Sequence, residues 1–181
     1  YATKSYLIEK NEEAYANVFT VHYPDEERPA ARPLKTSPCY QRLREMGGVF
    51  GASFGWERAN WFAPSGTDQQ DHWSFRRSKY HDHVGNEAKN VANNVGVLDL
   101  SGFAKCRVSG PKAESFLSKL VANKLPKKIG RIALCHSLTN KGGVHSEFTI
   151  TRESEDSFYI VSAGSFTRLD HDWILKHIDD S

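Results

Sequence analysis

Two glycines and a glutamate hold the most chemistry in this sequence. Residues 140–151 read Asn-Lys-Gly-Gly-Val-His-Ser-Glu-Phe-Thr-Ile-Thr. Asn-Lys-Gly-Gly is turn chemistry, because glycine reaches positive φ without a Cβ clash. The run after it alternates. Val144, Ser146, Phe148 and Ile150 share one face of a strand; His145, Glu147, Thr149 and Thr151 share the other. A carboxylate, acceptor and base, therefore sits on the less apolar face of a hairpin strand, just past the turn. On local pattern alone Glu147 reads as a solvent-facing side chain.

Other candidate groups are weaker. His81 and His83 form an HxH pair, but Asp82 separates them, a helix start follows, and no second ligand pair is near. No metal site is expected. Phe50, Phe54, Trp56, Trp61 and Phe62 cluster around two glycines and the Glu57-Arg58 pair. Such an aromatic loop either lines a pocket for a planar ligand or is pinned to the core by its rings. The stretch from His72 to Tyr80 is basic and aromatic, suited to a polyanion but too short to indicate nucleic acid. There is no GxGxxG, phosphate-binding loop, GxSxG, HExxH or Cys/His couple.

Composition bounds the class. The 181 residues are 39% hydrophobic and 12% aromatic, which supports a packed core. The net charge of +2, with both signs interspersed, excludes a nucleic-acid-binding stripe. No apolar run approaches the roughly 18–20 residues of a membrane span. Cys39, Cys106 and Cys135 make no CxxC pair and suit buried thiols in a reducing compartment. A start on Tyr1, with Met46 the only methionine, reads as a piece of something longer.

The elements that would position Glu147 follow from periodicity. Tyr6-Leu7-Ile8 and residues 18–21 read as short strands. Residues 23–38, with prolines at 24, 29, 33 and 38, read as an extended connector containing a boundary. Ser37-Pro38 opens a helix that Gly47-Gly48 ends. Residues 84–95 and 111–122 read as helices, 103–108 as a strand. Residues 131–139, 144–151 and 157–163 form a three-stranded antiparallel meander, and a helix follows Gly164-Ser165. The class is α+β.

Several segments, in order, resemble a known family. They are Val97-Leu98-Asp99-Leu100-Ser101, a strand ending at Gly110, a helix from Pro111, a strand into Leu138-Thr139-Asn140, Gly142-Gly143-x-x-x-Glu147, and Ser157-Phe158-Tyr159-Ile160-Val161-Ser162. This set resembles the N-terminal part of the aminomethyltransferase (T-protein) of the glycine cleavage system. It is still more similar to the folate-binding half of the dimethylglycine and sarcosine dehydrogenases. The stretches that carry this second likeness are Arg32-Pro33 leading to Ser37-Pro38-x-Tyr40, Gly55-Trp56-Glu57-Arg58-x-Asn60-Trp61-Phe62, and Ser74-Phe75-Arg76-Arg77.

The resemblance implies a partial T-protein-like fold over residues 37–181. Residues 1–36 would be the end of a small β-rich linker domain, the central domain of an FAD-dependent oxidoreductase. It implies an enzyme in which a flavin domain upstream oxidises an N-methyl amine. Tetrahydrofolate then captures the one-carbon unit as 5,10-methylenetetrahydrofolate. Glu147 stands where the T-protein family has an aspartate against the folate's reacting nitrogens. A carboxylate there can take a proton from an N–H and stabilise a cation. Phe103, Cys135 and Val161 match folate-contact positions, Ala163 replaces a pterin-binding Asn, and Trp56 becomes a candidate wall of the cavity. Asp99 reads as a turn cap. The expected partners are a methylated amine and folate, with neither nucleic acid nor membrane. The expected compartment is a bacterial cytoplasm or a mitochondrial matrix. The alternatives are a non-catalytic relative like the regulatory subunit of pyruvate dehydrogenase phosphatase, and a stand-alone aminomethyltransferase.

Overall fold

The computed structural model describes residues 3–178; the chain start at Tyr1 lies outside them. The fold is mixed helix and antiparallel sheet, divided into two compact units, one up to Gly102 and one from Phe103 onward. This division falls well past the proline-rich stretch in which the sequence suggests a boundary.

The first unit opens with a correction. Tyr6, Leu7 and Ile8 lie within helix α1 (Lys4–Ala16), and residues 18–21 form a turn and extended chain, so neither expected strand is present. The Thr3 hydroxyl caps the helix by accepting the Tyr6 N–H at 3.2 Å. The following Glu, Lys and Ala residues are strong helix formers, and a three-residue apolar cluster sets no period against them. No residue of α1 is buried. Glu13 and Glu9 accept the backbone N–H groups of Ala30 and Ala31, tying the helix to the proline-rich stretch.

Helix α2 (Tyr40–Glu45) begins later than Ser37-Pro38. The Ser37 hydroxyl accepts from the Cys39 N–H and donates to Asp99 at 2.5 Å, so it shapes a turn before the helix. Asp99 also accepts the Ser101 N–H, the turn-capping role its sequence context suggests.

The aromatic stretch is a hairpin and not a loop. Strands β1 (Gly48–Ser53) and β2 (Trp56–Phe62) pair antiparallel around Phe54 and Gly55, both at positive φ. Positive φ at both turn residues is the type I′ pattern, which Asn-Gly would have announced and Phe-Gly does not. Trp61 is buried with Val49 and Ala63, and its indole N–H donates to Asp71. Glu57 pairs with Arg32, not with neighbouring Arg58: the guanidinium donates to both carboxylate oxygens at 2.9 and 2.7 Å and to the Phe50 carbonyl. Helix α3 (His81–Asn93) buries none of its residues, although Val84 packs on Trp61's cluster.

The second unit is a four-stranded antiparallel sheet in the order β3-β6-β5-β4, where β3 is Ala104–Ser109, β4 Ile132–Leu138, β5 Val144–Arg152 and β6 Ser157–Ser162. The expected meander is β4-β5-β6, and β3 lies beside β6. Helices α4 (Ala113–Leu120) and α5 (Thr167–Lys176) contribute to one core with the sheet. Leu117, Leu120, Cys135, Phe148, Ile150, Phe158, Ile160 and Ile174 fill it. These are the inward positions of the period-2 and period-3.6 patterns. No helix among the described residues is long and apolar enough to cross a membrane, and no cluster of metal-ligating side chains occurs among them.

Candidate functional site

The site is built on β5 and the turn before it. Gly142, at φ 80, closes the turn from Thr139, whose N–H donates to the Gly143 carbonyl at 2.8 Å. Nothing lies within 4 Å of a Cβ built on Gly142, so its backbone conformation alone calls for glycine there. Beyond the turn Ser146, Phe148, Ile150 and Arg152 are buried, while Glu147 points away from the core with its side chain 61% exposed.

Glu147 has a neighbour that the alternation does not reveal. His136 on β4 is its cross-strand partner, and His136 Nε2 lies 3.1 Å from Glu147 Oε2. Counting outward from Leu138 and Val144 in regular register would set Cys135 opposite Glu147. A bulge between Ser137 and Leu138 leaves His145 as an extra residue and moves the register by one. His136 is fixed from behind by Asn123, in the loop after α4. Asn123 Oδ1 accepts the His136 backbone N–H at 2.7 Å and lies 3.3 Å from ring Nδ1. The His136 carbonyl in turn accepts the Ala122 N–H.

The opposite side of β5 is clamped by α5. Asp170, almost wholly buried, accepts Ser146 Oγ on one oxygen and Ser162 Oγ on the other, each at 2.5 Å. Trp173 donates its indole N–H to Ser137 at 2.6 Å. The extra residue, His145, stacks its ring on Trp173 with centroids 3.8 Å apart. The residues beside Glu147 on both sides are thus held from beneath, while Glu147 itself stays open.

The other sequence candidates are placed as follows. Val161 on β6 is the cross-strand partner of Thr149 and shares Glu147's face. Phe103 immediately precedes β3 and is about half exposed. Cys135 is on the strand before the turn but is fully buried on the inner face, opposite Phe148, and burial pushes its thiol up. The structure does not bring it to Glu147's face. Trp56 belongs to the first unit, at the start of β2. Leu134 on β4, half exposed, adds apolar surface on Glu147's face and was not singled out from the sequence. Nor were His136, Asn123 and Asp170.

A cavity of about 880 Å³ opens on the other side of the sheet between β3, α4 and α5. Phe148, Ile160 and Ile174 line it, and both oxygens of its buried acid, Asp170, already hold serine hydroxyls. Glu147 does not line it. The Glu147–His136 pair lies outside this groove.

Known proteins share this arrangement of elements. Residues 39–181 match the family model of the GCVT N-terminal domain, and residues 1–37 that of the FAD dependent oxidoreductase central domain. The human mitochondrial dimethylglycine dehydrogenase is 37% identical over 175 residues, covering 96% of this chain and 20% of the relative. The 4-methylaminobutanoate oxidase (formaldehyde-forming) of Paenarthrobacter nicotinovorans is 30% identical, over 97% of this chain and 21% of its own length. The chain thus spans about a fifth of the length of these relatives. The crystal structure of the glycine cleavage system aminomethyltransferase T from Bartonella henselae superposes with a TM-score of 0.63 at 24% identity, over 82% of this chain and 36% of that one. By the match over most of its length, the chain belongs to the GCVT N-terminal domain family.

Proposed function

We propose that this chain supplies one wall of a site where a one-carbon unit passes from an oxidised N-methyl amine to tetrahydrofolate. The parent protein in this reading is a flavin-dependent dehydrogenase of the dimethylglycine and sarcosine type. The observation that carries the reading is an exposed carboxylate, Glu147, paired with an imidazole on the open face of a sheet in the GCVT family fold.

The residues present fit a folate. Glu147 offers an acceptor and base, while half-exposed Leu134 and Phe103 and the partly buried Val161 offer apolar surface to a planar ring. FAD, bound to a separate domain, would supply the oxidation of the amine to an iminium. The balance of the transfer then defines what Glu147 does. Two N–H groups of tetrahydrofolate each form a bond to the one-carbon unit and lose a proton. The C=N bond of the iminium breaks completely, both of its electron pairs stay on the amine nitrogen, and that nitrogen takes both protons. Glu147 is the base for the folate N–H groups and offsets the positive charge of the iminium. The matched relatives support a methylated amine as the substrate class. One is named for forming formaldehyde, the product expected when the one-carbon unit is hydrolysed and not captured.

Glu147→Gln in the full-length protein tests this. The substitution keeps volume and removes the base. The expected result is a fall of about 10²-fold in the rate of methylenetetrahydrofolate formation, with free formaldehyde released in its place. Unchanged methylenetetrahydrofolate formation overturns the assignment.

A further inference from the structure

We propose that His136 is the proton-sharing partner of Glu147, so that the working acid–base group is a two-residue couple. This rests on the reading of Glu147 above and adds a residue that neither the sequence pattern nor the family likeness assigned. Asn123 sits behind His136. Its Oδ1 accepts the His136 backbone N–H at 2.7 Å, which fixes the oxygen, not the amide nitrogen, toward His136. The same oxygen lies 3.3 Å from ring Nδ1. An oxygen there accepts, so Nδ1 carries the hydrogen. A neutral ring then presents the bare lone pair of Nε2 to Glu147 Oε2, 3.1 Å away. Nε2 is therefore the ring atom placed to exchange a proton with Glu147.

The couple therefore offers two places for one proton, Glu147 Oε2 and His136 Nε2. Glu147 takes a proton from the first folate N–H and passes it to Nε2, which restores the carboxylate. The imidazolium so formed returns that proton to the departing amine. The pair is left as it began, ready for the second N–H. A lone carboxylate, once protonated, has no neighbouring group to hold its proton during the exchange. The pair is also a poor stability device. His136 and Glu147 are 31% and 61% exposed, and exposed pairs contribute little to folding. Its removal should therefore register in the chemistry and not in the fold.

The experiment uses the full-length protein with His136→Gln, His136→Phe and Glu147→Gln. Glutamine places a hydrogen-bonding amide near the position of Nε2 but cannot carry an extra proton; phenylalanine keeps the ring's shape. Three quantities are read: methylenetetrahydrofolate formed per formaldehyde released, the dissociation constant for tetrahydrofolate, and the ¹⁵N shifts of the His136 ring. The expected result is a drop of about tenfold in the product ratio for both His136 variants, with tetrahydrofolate affinity kept within about twofold. Glu147→Gln should move the Nε2 resonance of His136. Full recovery of the product ratio in His136→Gln would mean that a hydrogen bond alone suffices, and would overturn the proton-sharing role. So would an unmoved Nε2 resonance. If Glu147→Gln lowers the ratio and neither His136 variant does, only the His136 role fails. If Glu147→Gln leaves the ratio unchanged, the reading of the whole site fails.

Discussion

Replacing Asp170 tests how α5 holds the strand that carries Glu147. Its carboxylate oxygens each accept one serine hydroxyl at 2.5 Å, Ser146 on one side and Ser162 on the other, at a residue only 4% exposed. A hydrogen bond to a charged group contributes about 1.5–3 kcal/mol and a neutral one about 0.5–1.5 kcal/mol. Asp170→Asn keeps one oxygen and puts an NH₂ group where the other stood. A serine hydroxyl both donates and accepts, so the serine facing the NH₂ rotates to accept. Both bonds survive and only the charge assistance goes, about 1 kcal/mol each and about 2 kcal/mol in all. Asp170→Ala removes both charge-assisted bonds and leaves Ser146 Oγ only its contact with His145 Nδ1 at 2.8 Å, a loss of about 3–6 kcal/mol. Amide hydrogen exchange in peptides covering β5 and β6 measures this as a fall in local opening free energy. Wild-type exchange in Asp170→Ala would refute the clamp. Equal losses in the Asn and Ala variants would refute the rewiring argument.

Two further outcomes are expected. Arg32→Ala leaves the buried Glu57 carboxylate without its bidentate partner and should destabilise the protein by about 3–5 kcal/mol in thermal melting, whereas Arg32→Met with Glu57→Leu should recover most of that. The side-chain hydrogen bond from Arg152 holds Glu114 below the usual carboxylate range, and that from Arg107 does the same for Glu153. Their stabilising contribution is therefore full above the unfolded carboxylate pKa and is lost as pH falls through the lower folded values. The double variant Glu114→Gln, Glu153→Gln should flatten this acid-side slope in denaturation curves collected between about pH 5 and 2.

The second unit was legible because its signals are local and agree. Glycine and asparagine mark the β4–β5 turn, alternation sets the inward face of β5, and the 3.6-residue period of α4 selects Leu117, Leu120 and Val121. The same pattern puts Glu147 on the outward face, while the role proposed for it came from the family resemblance. His136 was not, because pairing across a hairpin depends on register and register on a bulge that leaves no mark in composition. Asp170 was missed for a related reason: its serine partners are 24 and 8 residues away, and it looks like an ordinary surface acid on an amphipathic helix. In the first unit local signals misled. The Tyr6-Leu7-Ile8 cluster suggested a strand, but capping by Thr3 and the surrounding helix formers prevailed. Phe54, at positive φ, occupies a turn position where bulky side chains are uncommon, so the aromatic hairpin was read as a loop.

The extra residue at His145 makes the hairpin unequal in its tolerance of length changes. Residues inserted at Asn140–Lys141, ahead of the bulge, lengthen only the turn and leave the Ser137–Ser146 and His136–Glu147 pairings in place. Loss of the extra residue His145 removes the bulge and keeps the Ser137–Ser146 and His136–Glu147 pairings, whereas loss of a second residue slides the downstream strand by one position, and a one-residue slip exchanges the two faces of a strand. Glu147 would then be driven toward the core and Phe148 into solvent. Among the descendants of such a sequence, the spacing from the glycines to the glutamate should drift far less than the length of the turn before them.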